Sequence, residues 1–149
     1  MADADFKKHP ISFPTLGWIS HSMGSAIGQD KYRPDRSFGD TDGNVRCVIE
    51  SSSTNDRKVG VGELCLADKF FSDSKWRGVL IFSLCGKALT RPKPETQLNY
   101  LRPYFLHLRG SEREFGVREI FVLDEADFAK LEWKALTPEF LRVALRLEA

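Results

Sequence analysis

The sequence predicts an α+β domain in which a mainly antiparallel sheet of about five strands, open or curled towards a barrel, is packed by a C-terminal helix. Three observations support this prediction. Apolar stretches typical of strands recur between residues 45 and 123. Asp42-Gly43 marks a turn before the first of them. Thr137-Pro138-Glu139 supplies the N-cap, first-turn proline and acidic residue of a helix start. The length of 149 residues fits a single domain, 1–149.

Residues 1–44 are predicted to form an irregular N-terminal arm and loop. Pro10 and Pro14 restrict any strand near Trp18 to a sheet edge or an extended arm. Residues 20–44 are rich in Gly, Ser, Asp and Arg and have no regular hydrophobic period. Three interpretations of this segment stay open, namely a functional loop, a partly disordered segment and an unrecognised helix.

Residues 45–123 are predicted to form a β-meander. The predicted strands, with the first two and the last two paired as hairpins, cover 45–50, 58–67, 76–85, 104–109 and 117–123. The continuous apolar run in 76–85 indicates a central strand covered on both faces. Gly60 and Gly62 predict either a bulge or a close approach by another group. Two prolines predict a loop over 88–96.

Residues 124–149 are predicted to be helical. Asp124 is expected to cap a short helix over 125–131, and a second helix is expected to follow Thr137 with an apolar stripe reaching Leu147. The apolar run before Asp124 resembles the Walker B strand of DEAD-box helicases. Such an ATPase also needs a phosphate loop, and the only Gly-Lys pair is followed by Ala88. The acidic residues are therefore interpreted as complements of a helix N-terminus.

Composition and charge narrow the possible classes of protein. The formal net charge is +1, so bulk charge favours neither nucleic acid nor an acidic partner. Cys47, Cys65 and Cys85 are widely spaced and form no C-x-x-C pair, which argues against a disulfide framework or a zinc site. No apolar run approaches the roughly 18 residues of a membrane span. We therefore predict a cytoplasmic protein with no cofactor and no membrane association.

A nuclease is the first alternative function. Asp124 followed by Glu132-Trp133-Lys134 resembles the acidic and lysine pattern of PD-(D/E)XK nucleases, although no proline precedes Asp124. The resemblance implies that two carboxylates hold magnesium and that Lys134 stabilises charge or positions water. It requires a strand over 131–136, because only a strand places Glu132 and Lys134 on one face.

Single-stranded nucleic-acid binding is the second alternative. Basic residues alternate with aromatic residues between 87 and 109, and such a surface can follow phosphates and stack bases. In a meander, however, aromatic side chains are more often part of the core. His107 alternates with two leucines and is expected on the more polar face of its strand.

The leading hypothesis is a non-catalytic binding or interaction module, because no complete catalytic constellation is visible in the sequence. Loops on a rigid sheet would carry its binding surface. The expected partner is a protein or a small ligand, and a homodimer is expected if Phe70, Phe71 and Trp76 leave an apolar patch. The candidate binding residues are Trp18, Tyr32, Arg33, Arg36, Arg91, Tyr100, Arg102 and His107.

Overall fold

A six-stranded mixed sheet forms the centre of the protein, with its strands in the order in which they occur along the chain. The computed structural model describes residues 6–54, 56–86, 93–110 and 113–148. The strands are β1 (Ile19–Ser22), β2 (Arg36–Gly39), β3 (Val45–Ser52), β4 (Arg77–Leu84), β5 (Gly116–Asp124) and β6 (Leu145–Glu148). The helices within the described ranges are α1 (Arg57–Asp73), α2 (Pro94–Arg109), α3 (Glu125–Lys130) and α4 (Pro138–Val143).

The direction of the strands divides the sheet into three parts. Strands β1, β2 and β3 form an antiparallel meander, β3, β4 and β5 are parallel, and β6 is antiparallel to β5. Parallel neighbours require a crossover connection, and α1 and α2 provide the two crossovers. The carboxyl ends of β3, β4 and β5 therefore lie at one edge of the sheet, where Ser52 is level with Leu84 and Asp124.

Each face of the sheet has its own hydrophobic core. On one face, α1 and α2 pack Leu64, Phe71 and Leu101 against β-strand residues such as Leu80. The other face is covered by the N-terminal arm, α3 and α4, whose buried side chains include Phe6, Phe13, Phe128 and Phe140. Because β4 is covered on both sides, its sequence is a continuous apolar run, as expected for a buried parallel strand.

A buried ion pair joins the two crossover helices to β5. The Asp68 carboxylate accepts hydrogen bonds from Arg109 Nη2 at 2.6 Å and from the Val117 amide at 2.9 Å. Arg113 Nη2 lies 3.2 Å from the second carboxylate oxygen. The side chains of Asp68 and Arg109 are almost fully buried, so each compensates for the lost hydration of the other.

The sheet differs from the predicted one in two ways. It has six strands where about five were predicted, and it is mixed in direction where a mainly antiparallel sheet was predicted. It is open and not closed into a barrel. The segment 58–67, predicted to be a strand, forms the first part of α1, which begins at an N-cap where Asp56 accepts a hydrogen bond from the Lys58 amide. Its buried residues Gly60, Leu64 and Ala67 follow the spacing of a helix, so the alternation of apolar residues was misleading.

The second predicted hairpin is also wrong, because residues 104–109 form the end of α2. This helix starts at Pro94 and contains Pro103, whereas residues 88–96 were predicted to be a loop. Residues 87–92 lie outside the described part of the chain. The strands predicted over 45–50, 76–85 and 117–123 are confirmed by β3, β4 and β5.

The C-terminal region is helical only in part. The Thr137 hydroxyl accepts a hydrogen bond from the Phe140 amide, which confirms the predicted N-cap. The helix ends at Val143, and the chain then forms β6 beside β5, where a continued helix was expected. The short helix after Asp124 is confirmed as α3, although the Asp124 side chain makes no capping hydrogen bond.

The N-terminal region is more regular than predicted. Residues within the segment 20–44 form most of β1 and all of β2, which complete the meander with β3. The aromatic residues Phe70, Phe71 and Trp76, which motivated the prediction of a homodimer, all pack in the core beneath α1. In the described residues no helix combines the length and apolar character needed to span a membrane.

Candidate functional site

Three acidic residues from different elements meet at the carboxyl end of β3. Asp35 directly precedes β2, Glu50 lies in β3, and Glu63 is in the second turn of α1. The topology brings them together, because β2 starts beside the end of β3 and α1 starts just beyond that end. Loops and strand ends at this edge are where open α/β sheets usually bind ligands.

Hydrogen bonds from backbone amides fix the positions of the Asp35 and Glu50 carboxyl groups. The Asp35 amide donates to Glu50 Oε1 at 2.9 Å, and the Ser51 amide donates to Asp35 Oδ2 at 2.7 Å. Glu63 is close enough to Glu50 for its negative charge and a side-chain hydrogen bond to raise the pKa of Glu50.

Burial sets the protonation state of Glu50, which is 5% exposed. Loss of hydration, followed by the negative charge of Glu63 and the hydrogen bond to it, raises the pKa of Glu50 to about 10. The Glu50 carboxyl is therefore neutral at pH 7. Strongly shifted carboxyl groups beside other acids are typical of functional sites, and they also occur in structural networks.

A buried tyrosine hydroxyl faces this carboxyl cluster. Burial is the largest cause that raises the pKa of Tyr32, and the charges of Glu50, Glu63 and Asp35 raise it further. Tyr32 is 7% exposed, and its hydroxyl has no hydrogen-bond partner among the described residues. A buried hydroxyl without a partner costs about 1–3 kcal/mol. The Tyr32 hydroxyl therefore indicates a place for a further polar group.

The oxygen atoms of this cluster are ligands of the type preferred by hard cations. Carboxylate, hydroxyl and carbonyl oxygens are the ligands of Mg²⁺ and Ca²⁺, and Mg²⁺ is often held by one or two carboxylates together with water and phosphate. Within the described ranges, no three His, Cys, Asp or Glu side chains are arranged as a complete metal-ligand group. Asp35 and Glu50 are the two carboxyl groups of this cluster that could act as ligands of such a cation.

The sequence around Asp35 and Glu50 partly resembles the nuclease pattern that the sequence analysis placed at Asp124, Glu132 and Lys134. Pro34-Asp35 precedes β2, and Glu50-Ser51-Ser52 ends β3. The two acidic residues stand in the same order as the two acidic positions of the PD-(D/E)XK pattern, but Ser52 stands where that pattern has a lysine. Sequence reasoning missed the site because residues 20–44 showed no strand and residues 58–67 were taken for one. The Pro-Asp pair was the signal that could have revealed it.

Exposed basic residues surround the same edge of the sheet. Arg33 precedes β2, Arg57 and Lys58 start α1, and Lys93 precedes α2; all four are exposed. The Arg57 guanidinium lies over the Tyr100 ring, 5.4 Å from its centroid. Basic side chains beside a half-buried aromatic ring such as Tyr100 can bind the phosphates of a nucleic acid.

The candidate binding residues do not form one surface. Tyr32 belongs to the carboxyl cluster, while Arg33 and Tyr100 lie at its basic edge. Arg36 is buried on the opposite face, where its Nη1 donates to the His9 carbonyl. Trp18 packs on Phe13 near β1. Arg102 and His107 are exposed along α2, and Arg91 lies outside the described residues.

The residues of the predicted nuclease site, Asp124, Glu132 and Lys134, are not arranged as a PD-(D/E)XK nuclease requires. Glu132 and Lys134 lie in an exposed turn after α3, and Glu132 has a positive φ of 55°. Lys134 Nζ contacts Glu132 Oε1 at 3.4 Å. The strand needed to align these side chains beside Asp124 is therefore not formed.

An apolar pocket of about 190 Å³ lies beside the carboxyl cluster. Ile27, Tyr32, Leu66 and Phe70 form its apolar wall, and Lys69 at its mouth contacts Asp30 and Asp73. Tyr32 thus lines the pocket and is close enough to Glu50, Glu63 and Asp35 for their charges to raise its pKa.

No family model, curated protein or solved structure matches this chain.

Proposed function

We propose that this protein is a divalent-metal-dependent nuclease of the PD-(D/E)XK type, with its site at Asp35 and Glu50. The proposal rests on Asp35 and Glu50, which are joined by the hydrogen bond from the Asp35 amide and lie near Glu63 and the Tyr32 hydroxyl. Among the described residues this hydroxyl has no hydrogen-bond partner. The basic residues at the same edge support a polyanionic substrate. The proposal retains the nuclease alternative of the sequence analysis and moves it from Asp124 to Asp35.

Each residue of the cluster has a definite part in this proposal. When bound, Mg²⁺ would polarise the phosphodiester and lower the pKa of a coordinated water. Asp35 is held in place by the Ser51 amide, and its carboxylate would be one ligand of the cation. As a ligand of the cation Glu50 would lose its proton, and Glu63 is the adjacent carboxylate that would accept it. The Tyr32 hydroxyl donates to an oxygen in the site.

Ser52 is the main departure from the pattern. A serine hydroxyl cannot provide the positive charge that the lysine provides in such nucleases, and Ser52 is buried at the end of β3. Arg57 and Lys58 are the next basic residues along the chain. We therefore expect slow cleavage, and we expect Ser52→Lys to accelerate it. Ser53→Lys adds the same charge at an exposed neighbour and is the matched control.

Cleavage assays with labelled single-stranded DNA, duplex DNA and RNA test the proposal directly. We expect cleavage with Mg²⁺ or Mn²⁺ and none with EDTA. Since loss of groups that merely orient metal ligands costs about 10–100-fold, Asp35→Asn and Glu50→Gln should each lower the rate at least that far. Asp124→Asn should retain the rate. Metal-independent cleavage, or full activity in Asp35→Asn, would contradict the proposed site.

An interaction module remains a second candidate because of the apolar pocket beside α1. Its volume of about 190 Å³ lies below the roughly 300–1,000 Å³ of small-molecule sites, and it suits a single apolar side chain of a protein partner. The acidic groups at its mouth favour a neighbouring basic residue. A capped peptide with a phenylalanine between two lysines should bind, and a matched peptide with two glutamates should not. Leu66→Asp should abolish this binding without affecting cleavage.

A further inference from the structure

A second pocket opens at the same edge of the sheet, on the side covered by the N-terminal arm and α3. Its volume is about 230 Å³. Its walls include His9, Leu84, Cys85, Glu125, Ala129 and Trp133. The pocket is smaller than the roughly 300–1,000 Å³ of sites for drug-sized molecules, so it suits one small planar ring. Most of these walls are apolar, and the ionisable groups lie together on one side.

Two contacts fix the polar side of this pocket. The His9 ring stacks on the Trp133 ring with 3.8 Å between centroids and 10° between planes. His9 Nε2 lies 3.4 Å from Glu125 Oε1. A carboxylate can accept about four hydrogen bonds. Glu125 therefore keeps acceptor capacity for a ligand after its contact with His9, and its position is set by a stacked and paired imidazole.

Ser51 connects this pocket to the carboxyl cluster. Its hydroxyl lies 3.3 Å from the sulfur of Cys85 in the pocket wall. Its amide donates to Asp35 at 2.7 Å on the other side. Ser51 thus contacts both the pocket wall and Asp35, and the pocket and the carboxyl cluster lie at the same edge of the sheet on its two faces.

We propose that this pocket binds one nucleobase that carries an exocyclic amino group, with Glu125 as the acceptor. A carboxylate accepts from the N4 amino group of cytosine, whereas thymine presents a carbonyl oxygen at the same place. The pocket volume favours the single ring of cytosine over a purine. The position of this base beside a cleaved phosphate rests on the proposed function, but binding of the base does not require cleavage.

Titration of the full chain with dCMP and dTMP in EDTA tests the pocket without any cleavage. The two nucleotides carry the same phosphate, so the basic edge contributes equally to both. We expect dCMP to bind about tenfold more tightly, a difference typical of one base-specific contact, and to shift the NMR signal of the Trp133 indole. Equal affinities, or a Trp133 signal unmoved by dCMP, would overturn the proposal.

Variants separate base recognition from other effects. Glu125→Gln should remove the preference for dCMP, whereas Glu132→Gln in the exposed turn nearby should retain it. Ala129→Leu should fill the pocket and weaken dCMP binding, and its melting temperature reports whether the fold is intact. If the chain binds dCMP selectively but cleaves nothing, the base-binding pocket is supported and the proposed nuclease function is contradicted. If the chain cleaves nucleic acid but shows no base preference, the nuclease function is supported and the base-binding pocket is contradicted.

Discussion

Replacing Glu50 by Gln tests the electrostatic description of the carboxyl cluster. The pKa of Glu50 is raised from 4.5 to about 10 in the folded chain, chiefly by burial. The folded state therefore binds a proton that the unfolded state releases, and stability falls as the pH rises from 4.5 towards 10. Each pH unit in this window costs at most about 1.4 kcal/mol. Glutamine keeps the acceptor for the Asp35 amide and can donate to Glu63, but it has no proton to lose.

We expect the free energy of unfolding of Glu50→Gln, relative to the unchanged chain, to rise by about 2–4 kcal/mol between about pH 5.5 and about pH 8.5. Urea denaturation in EDTA at several pH values measures this difference. Glu139→Gln, in an exposed position of α4, is the matched control and should change the free energy by less than about 0.5 kcal/mol. A difference that is constant with pH would refute the reasoning.

Two further predictions concern contacts of α1 and are measured by urea denaturation. Asp68→Asn leaves the buried Arg109 without its anionic partner and should cost about 3–5 kcal/mol; a loss below about 1 kcal/mol would show that the pair is dispensable. Gly60→Ala should cost about 1–3 kcal/mol, because its new methyl group would collide with the buried Gln97 amide. Gly62→Ala meets no described atom within 4 Å and should stabilise the helix by about 0.5–1 kcal/mol.

The strands that the sequence predicts correctly are those whose burial is evident from the apolar residues of the strand itself. The run 76–85 is apolar on both faces, and β4 is covered on both sides. The segment 58–67 carries two conflicting signals, an alternation through Val59 and Val61 and a helical spacing through Leu64. Only packing against the sheet and α2 decides between them, so a local pattern could not predict α1.

The candidate site is harder to predict because its residues meet only in the folded chain. Asp35 and Glu50 are 15 residues apart and become neighbours when β2 pairs with β3. Glu63 joins them after α1 folds back over the sheet. The segment that contains Asp35 showed no strand character, so its partner in β3 could not be identified. The Pro34-Asp35 pair is visible in the sequence, but its proximity to Glu50 depends on the pairing of β2 with β3.

Ser51 contacts groups on both sides of the sheet, because its amide donates to Asp35 and its hydroxyl lies against Cys85. If a cation binds at Asp35 and a base binds beside Cys85, a shift of Ser51 caused by one ligand would alter the contacts of the other. Cooperativity between two ligands is reciprocal, because the coupling free energy is the same whichever ligand binds first. If a bound cation increases the affinity for cytosine, bound cytosine must increase the affinity for the cation by the same factor. Ser51→Ala, which keeps the amide and removes the hydroxyl, should weaken this cooperativity and leave each separate affinity nearly unchanged.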